Sequence, residues 1–166
     1  MGIDTTFGKA FAKSQLSAGV TIPLKGNVLV SVKNSDKEIV RGYIQDLSQI
    51  GFKIYATKGT ANFLQVMGLN CKTIKKVKEG SPNIVDYMDE GKINLIFNTT
   101  EGSQAIRDSF RLRRSAINNK IPYYTTTAGA KAVVKAIKTI IKKELDVCSL
   151  QKFFKKEKLG NFIKLG

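Results

Sequence analysis

The chain has 166 residues, 42% of them hydrophobic, with 28 Lys and Arg against 13 Asp and Glu and no histidine. This is the length of one domain with a substantial core, no apolar run approaches the roughly 18 residues that a bilayer demands, and the N-terminus lacks a signal-peptide pattern, so a soluble cytoplasmic chain is expected. Missing histidine removes the commonest zinc ligand, and Cys71 and Cys148 have neither metal-cluster spacing nor the number of a disulfide framework, so free thiols and no metal are expected.

In chain order, Thr5 to Ala18 is rich in Ala, Phe and Lys and predicts a helix. Asn27 to Val32 is an apolar strand. Ser35-Asp-Lys-Glu38 has capping-box spacing, and Ile39, Val40, Tyr43, Ile44, Leu47 and Ile50 recur at helical intervals until Gly51 closes the helix. Phe52 to Thr57 reads as the next strand, Thr60 to Met67 as a short helix stopped by Gly68, and Cys71 to Val77 as a further short strand. Ser81 and Pro82 suit an N-cap and a first-turn proline for a helix ending at Gly91. Ile93 to Asn98 is a continuous apolar run of the kind that central parallel strands show. Thr99 to Gly102 is its loop, a helix follows to about Asn119, Ile121 to Tyr124 is a strand, and Thr125 to Thr127 opens a long helix to about Leu145. Gln151 to Gly166 carries phenylalanines and lysines, and a short amphipathic tail docking on its own domain is its plainer reading than a membrane-surface helix.

This strand–helix alternation predicts a mostly parallel sheet with helices on both faces. The formal charge of +15 suggests nucleic acid, but lysine outnumbers arginine 23 to 5, the bias of an A- and T-rich genome. No nucleic-acid motif accompanies the charge, and a solvated basic face explains it more simply.

Candidate chemistry gathers where strands end: Ser31 to Lys37, Thr57 to Thr60, Lys76, Asn98 to Thr100 and Thr125 to Thr127. In a parallel sheet the carboxyl ends share one edge, so these residues converge on one crevice that is rich in hydroxyls and lysines. The string Ala56-Thr-Lys-Gly-Thr60 places a glycine and hydroxyls where a strand hands over to a helix, the arrangement that offers backbone N–H groups to a phosphate. Without histidine, proton transfer would need an acid pair, a lysine or a tyrosine there, and acids near the strand ends are few.

The series Thr6 to Gln15, Ser31 to Lys37, Ala56 to Ala61, Lys76 to Ile84, Asn98 to Gly102 and Arg113 to Ala116 resembles the C-terminal allosteric domain of the carbamoyl-phosphate synthase large chain, over roughly Gly2 to Ile137. The resemblance implies a three-layer αβα, methylglyoxal-synthase-like fold with a five-stranded parallel sheet. It implies a connecting segment at 1–20 that leads from a preceding synthetase domain, an allosteric domain at 21–147 and a variable tail at 148–166. The family's nucleotide pocket falls on Ser31, Lys37, Thr57, Gly59, Thr60, Lys76, Asn98 and Thr100, with UMP as inhibitor or IMP as activator. An ornithine region falls on Tyr123 and Thr125, its acidic partners lying on the neighbouring domain. Glu101 and Ser103 stand where bacterial members can have a basic residue, which makes the preference for UMP less secure than the pocket.

The same resemblance implies a regulatory section with no catalytic residues and no cofactor of its own. ATP, magnesium and potassium ions belong to the synthetase domains, and carbamoyl phosphate is made there from glutamine, bicarbonate and ATP. The implied partners are the rest of the large chain and the glutaminase small chain, with self-association left open. Two other readings stand beside it: a methylglyoxal synthase-type phosphate lyase, which lacks its histidine and aspartate here, and a basic nucleic-acid-binding module.

Overall fold

A computed structural model describes residues 1–101, 103–142 and 145–155. Among them the apolar segments form five strands: β1 (Asn27–Ser31), β2 (Lys53–Thr57), β3 (Cys71–Ile74), β4 (Leu95–Asn98) and β5 (Tyr123–Tyr124). They pair in parallel in the order β3-β2-β1-β4-β5. The helices are α1 (Phe7–Ser17), α2 (Lys37–Gln49), α3 (Lys58–Val66), α4 (Ile84–Asp89), α5 (Ser103–Asn118) and α6 (Thr127–Lys142). The three-layer α/β architecture expected from the sequence is the one observed.

Strand periodicity explains how the layers are held. Val28, Val30, Leu95 and Phe97 turn to one face, where Val40, Ile44 and Leu47 of α2, Leu64 of α3 and Val133 and Ile137 of α6 cover them. Leu29, Tyr55 and Ile96 turn to the other, against Ile84 and Met88 of α4 and Leu112 and Ala116 of α5. Right-handed crossovers account for the split, since connections that run toward β3 and those that run toward β5 must lie on opposite faces. Truncating a fully buried side chain such as Ile44 or Leu47 to alanine should cost about 2–5 kcal/mol.

Helix α1 lies against α6 through small residues one turn apart. A Cβ on Gly8 would come within 2.4 Å of the Thr139 hydroxyl and 3.0 Å of the Lys135 carbonyl, and Ala12 is fully buried. The residues before α1 fold back along it, where Asp4 pairs with Lys13 at 2.7 Å. Residues 150–155 are helical, and Leu150 and Phe153 border an apolar cavity of about 420 Å³ with Met1, Ile3 and Leu16, so this part of the tail lies on its own domain. The tail beyond residue 155 lies outside the described residues, as do Gly102 and residues 143–144. No helix among the described residues is long and apolar enough to cross a membrane.

Helix α3 begins at Lys58, two residues before the expected Thr60, and two helix caps also differ from expectation. Ser35 and Glu38 form no capping box, because a 3₁₀ turn (Asn34–Asp36) intervenes, α2 begins at Lys37, and Glu38 faces Arg41 at 3.5 Å instead. Ser81 and Pro82 precede α4 instead of opening it. Asn83 is the N-cap: its side chain accepts from the Val85 N–H at 2.9 Å, and Asp86 accepts from the Asn83 N–H and the Ser81 hydroxyl, each at 2.8 Å. An asparagine two residues farther on satisfies the first turn, so the serine serves the Asp86 carboxylate.

Candidate functional site

All strands are parallel, so Ser31, Thr57, Ile74 and Asn98 end at the same edge of the sheet. Ser31 and Asn98 are register partners on neighbouring strands. Beyond them the chain departs in opposite directions, from β1 through α2 to β2 and from β4 through α5 to β5. A crevice necessarily opens where the connections diverge.

That crevice is a cavity of about 340 Å³ lined by Ser31, Lys37, Thr57, Gly59, Thr60, Lys76, Asn98 and Thr100, together with Val32, Lys33, Asn34, Thr99 and Glu101. Every residue assigned to the nucleotide pocket from sequence therefore lies on one wall or another of the same space. Lys37 is the first residue of α2, and its ammonium donates to the Gly59 carbonyl at 2.7 Å, which ties the start of α2 to the first turn of α3 and leaves two further N–H donors. Lys76 stands just before the 3₁₀ turn Val77–Glu79, where its backbone N–H donates to the Glu79 carboxylate at 2.8 Å. Lys33, Lys37 and Lys76 give the lining three positive charges against the single carboxylate of Glu101.

Two helix starts at this edge, those of α2 and α3, carry no side-chain cap. Thr6 and Asn83 cap α1 and α4 with their side chains, whereas neither Asp36 before α2 nor Thr57 before α3 makes a side-chain cap. The first-turn N–H groups of α3 are thus available to an anion, with the helix dipole in its favour. Gly59 needs no special backbone conformation, and a Cβ there would meet only the Lys37 ammonium, at 3.8 Å. The space that glycine leaves belongs to the crevice.

The hydroxyls divide by role. Thr60 is 2% exposed, and its Oγ accepts from the Val32 N–H at 3.3 Å and donates to the Val32 carbonyl at 3.4 Å, so it fastens α3 to the loop after β1. Thr57 lies 3.4 Å from the Ser31 hydroxyl and 3.5 Å from that of Thr60, completing a chain of hydroxyls across the floor. Thr99 accepts from the Lys33 N–H at 3.1 Å and holds two loops together. Asn98 donates its amide hydrogens to Ser109 Oγ at 3.1 Å and to the Tyr123 hydroxyl, so α5 and β5 both fix its orientation.

A second cavity of about 460 Å³ adjoins the first, sharing Ser31, Lys76, Asn98, Thr100 and Glu101, and adds the apolar side chains of Val77, Ile84 and Leu112. The combined site has a cationic, hydroxyl-rich end and an apolar end. Lys33, Asn34 and Thr99 lie within the strand-end windows read from sequence, though outside the pocket set that the resemblance implies, whereas this apolar wall was not expected. Tyr123 reaches the site only through Asn98, and Thr125 is exposed in the turn before α6, outside the lining of both cavities. Among the described residues, Lys13 has the only charged side chain lining the apolar cavity near the N-terminus, and it is already paired with Asp4, so this cavity is the poorer candidate for a charged ligand.

Comparison with known proteins adds the following. The family model "MGS-like domain" matches residues 40–125. The chain is 47% identical over 156 residues to the carbamoyl phosphate synthase large chain, C-terminal section, of Methanopyrus kandleri, covering 93% of this chain and 29% of that protein. It is 49% identical over 154 residues to the carbamoyl phosphate synthase large chain of Rhizobium meliloti, covering 93% and 13%, and 43% identical over 159 residues to the C-terminal section of Aquifex aeolicus, covering 93% and 30%. The chain thus spans under a third of the length of these relatives. A crystal structure of methylglyoxal synthase from Elizabethkingia anophelis superposes with a TM-score of 0.55 at 12% identity, over 68% of this chain and 79% of that one, a likeness of fold.

Proposed function

We propose, from the premise that this chain belongs to the MGS-like domain family, that it is the regulatory section of a carbamoyl phosphate synthase large chain and binds a nucleoside monophosphate in the crevice between β1 and β4. The observation that carries the ligand reading is the convergence of Lys37, Gly59, Lys76 and Asn98 on one cavity with uncapped helix N-termini beside an apolar wall.

The phosphate sits at the cationic end. Lys37 and Lys76 supply charge, the first-turn N–H groups of α3 point at the anion, and Ser31, Thr57 and Thr100 supply hydroxyls. The base lies against Val77, Ile84 and Leu112, where apolar contact favours a flat ring without selecting strongly between purine and pyrimidine. UMP and IMP are the ligands the family resemblance implies, and ornithine bridges the Tyr123 and Thr125 region to a neighbouring domain.

The section itself is not catalytic. Its nucleotide changes the affinities of distant synthetase sites, and that coupling is reciprocal, so substrates bound there change the nucleotide affinity by the same factor. Calorimetric titration of this chain with UMP, IMP and UTP tests the ligand reading: one saturable site for a monophosphate is expected. Absence of heat and of any shift in melting temperature for all three nucleotides removes it.

A further inference from the structure

Helix α5 turns one face away from the domain, and that face is chemically unlike the rest of the surface. Its inner side, with Leu112 and Ala116, is buried against the sheet. On its outer side Ile106, Phe110 and Ile117 are 54%, 66% and 76% exposed. With Arg113 they recur at i, i+4, i+7 and i+11 and so form one stripe, while Arg107, Arg111 and Arg114 line up beside it at i, i+4 and i+7. The chain has 23 lysines and 5 arginines, yet four of those arginines and no lysine fall within α5, against one acid, Asp108.

The chain's general preference for lysine makes that concentration informative. Where solvation and net charge suffice, this chain uses lysine. Arginine offers a planar, weakly hydrated fork that pairs bidentately with carboxylates and tolerates burial at an interface. Large apolar side chains beside arginines and without lysine are the composition of interface cores. The stripe runs on through Ile117 into a groove of about 370 Å³ beside β5, bounded also by Gln15, Val20, Tyr123 and, past the end of the helix, Lys120.

Charge decides between occupants. A two-fold contact with a second copy would set α5 on α5 and arginine on arginine, in a chain of formal charge +15. A nucleic-acid backbone would satisfy the guanidinium groups and leave Phe110 and the isoleucines in water. An acidic protein surface with an apolar seam satisfies both. Relatives of this chain carry it as under a third of a longer polypeptide, which can supply such a surface.

We infer that the outer face of α5 docks on an acidic, apolar-seamed surface of the remaining large chain, with Phe110 in the seam and carboxylates on Arg111 and Arg114. This rests on the reading of the chain as a section of that longer polypeptide and is independent of the nucleotide. Hydroxyl-radical labelling read by mass spectrometry tests it. Phe110 should label strongly in the 166-residue chain and several-fold less in the full-length large chain. Arg111→Glu with Arg114→Glu in the full-length chain should restore labelling while nucleotide affinity of the isolated chain stays unchanged. Equal labelling of Phe110 in both wild-type proteins overturns the inference. So does protection that survives the double substitution, and so does protection in the isolated chain that deepens with concentration, which assigns the face to a second copy. Loss of UMP and IMP binding with Phe110 still protected removes the nucleotide reading and leaves the docking face standing.

Discussion

Ser31 and Asn98 face each other in register as the last residues of β1 and β4, and the chain leaves them in opposite directions. The opening between them follows from topology, and the side chains that line it have only to be small, polar or cationic. Asn98 is held from behind by Ser109 and Tyr123, so the floor of the crevice is positioned before any ligand arrives.

Lys76 lines both the cationic and the apolar cavity. Lys76→Ala should weaken UMP or IMP by the loss of one charge-assisted hydrogen bond, about 1.5–3 kcal/mol or roughly 10- to 150-fold, with little discrimination between the bases. Lys142→Ala, in the last turn of α6, is the control and should have only a small, salt-screened effect. Equal losses in parallel titrations would assign the affinity to general basicity.

At Gly59 fold and ligand should respond in opposite directions. The position is helical, free of positive φ, and open around its would-be Cβ, so Gly59→Ala should stabilise the domain by about 0.4–1 kcal/mol. The added methyl group projects toward the anion site and should lower nucleotide affinity. Melting curves with and without UMP measure both. Lowered stability would contradict the open space around Gly59, and unchanged affinity would contradict the placement of the phosphate at α3.

Thr60 is expected to matter more to the fold than to the phosphate. Thr60→Val keeps the shape but deprives the Val32 N–H of its acceptor and should cost about 1–3 kcal/mol in urea unfolding. Thr60→Ser should recover most of that. A stable Thr60→Val protein that no longer binds nucleotide would show that the hydroxyl faces the ligand.

Asp4 predicts a pH dependence. Burial pushes its carboxyl up, but the Lys13 ammonium and the backbone N–H and hydroxyl of Thr5 together outweigh that and hold it below its ordinary value. A carboxylate with a depressed folded pKa stabilises the fold above its unfolded pKa and loses that contribution as the pH falls through the folded value. Asp4→Asn should therefore be less stable than wild type near neutral pH, by about 1.5 kcal/mol for a lost charged hydrogen bond. The two melting temperatures should converge as the pH falls below about 4. A gap that persists in acid would mean that Asp4 acts through packing.

The elements were legible because each apolar run carries its own period: Val40, Ile44 and Leu47 could belong only to a helix, and Ile96-Phe97-Asn98 only to a covered strand. The two misplaced helix caps share a cause. Ser35 and Ser81 each lie near a residue that could complete a cap, and sequence spacing does not reveal the 3₁₀ turn at Asn34–Asp36 or the better placed Asn83. At the site, residues at strand ends were readable because parallel order gathers them. The apolar wall was not, since Val77, Ile84 and Leu112 come from three elements and each reads alone as ordinary core. The link from Tyr123 to Asn98 joins adjacent strands 25 residues apart and leaves no local signal.

The bond from the Lys37 ammonium to the Gly59 carbonyl joins the starts of two helices, and the crevice around it draws on chain segments from Ser31 to Glu101. An unfolded chain holds no part of that arrangement. A ligand for the crevice therefore acts on the folding equilibrium by mass action, adding about 2.7 kcal/mol when its free concentration is 100 times its dissociation constant. The melting temperature becomes a gauge of crevice occupancy, and a panel of candidate nucleotides can be ranked by heat alone, with no label.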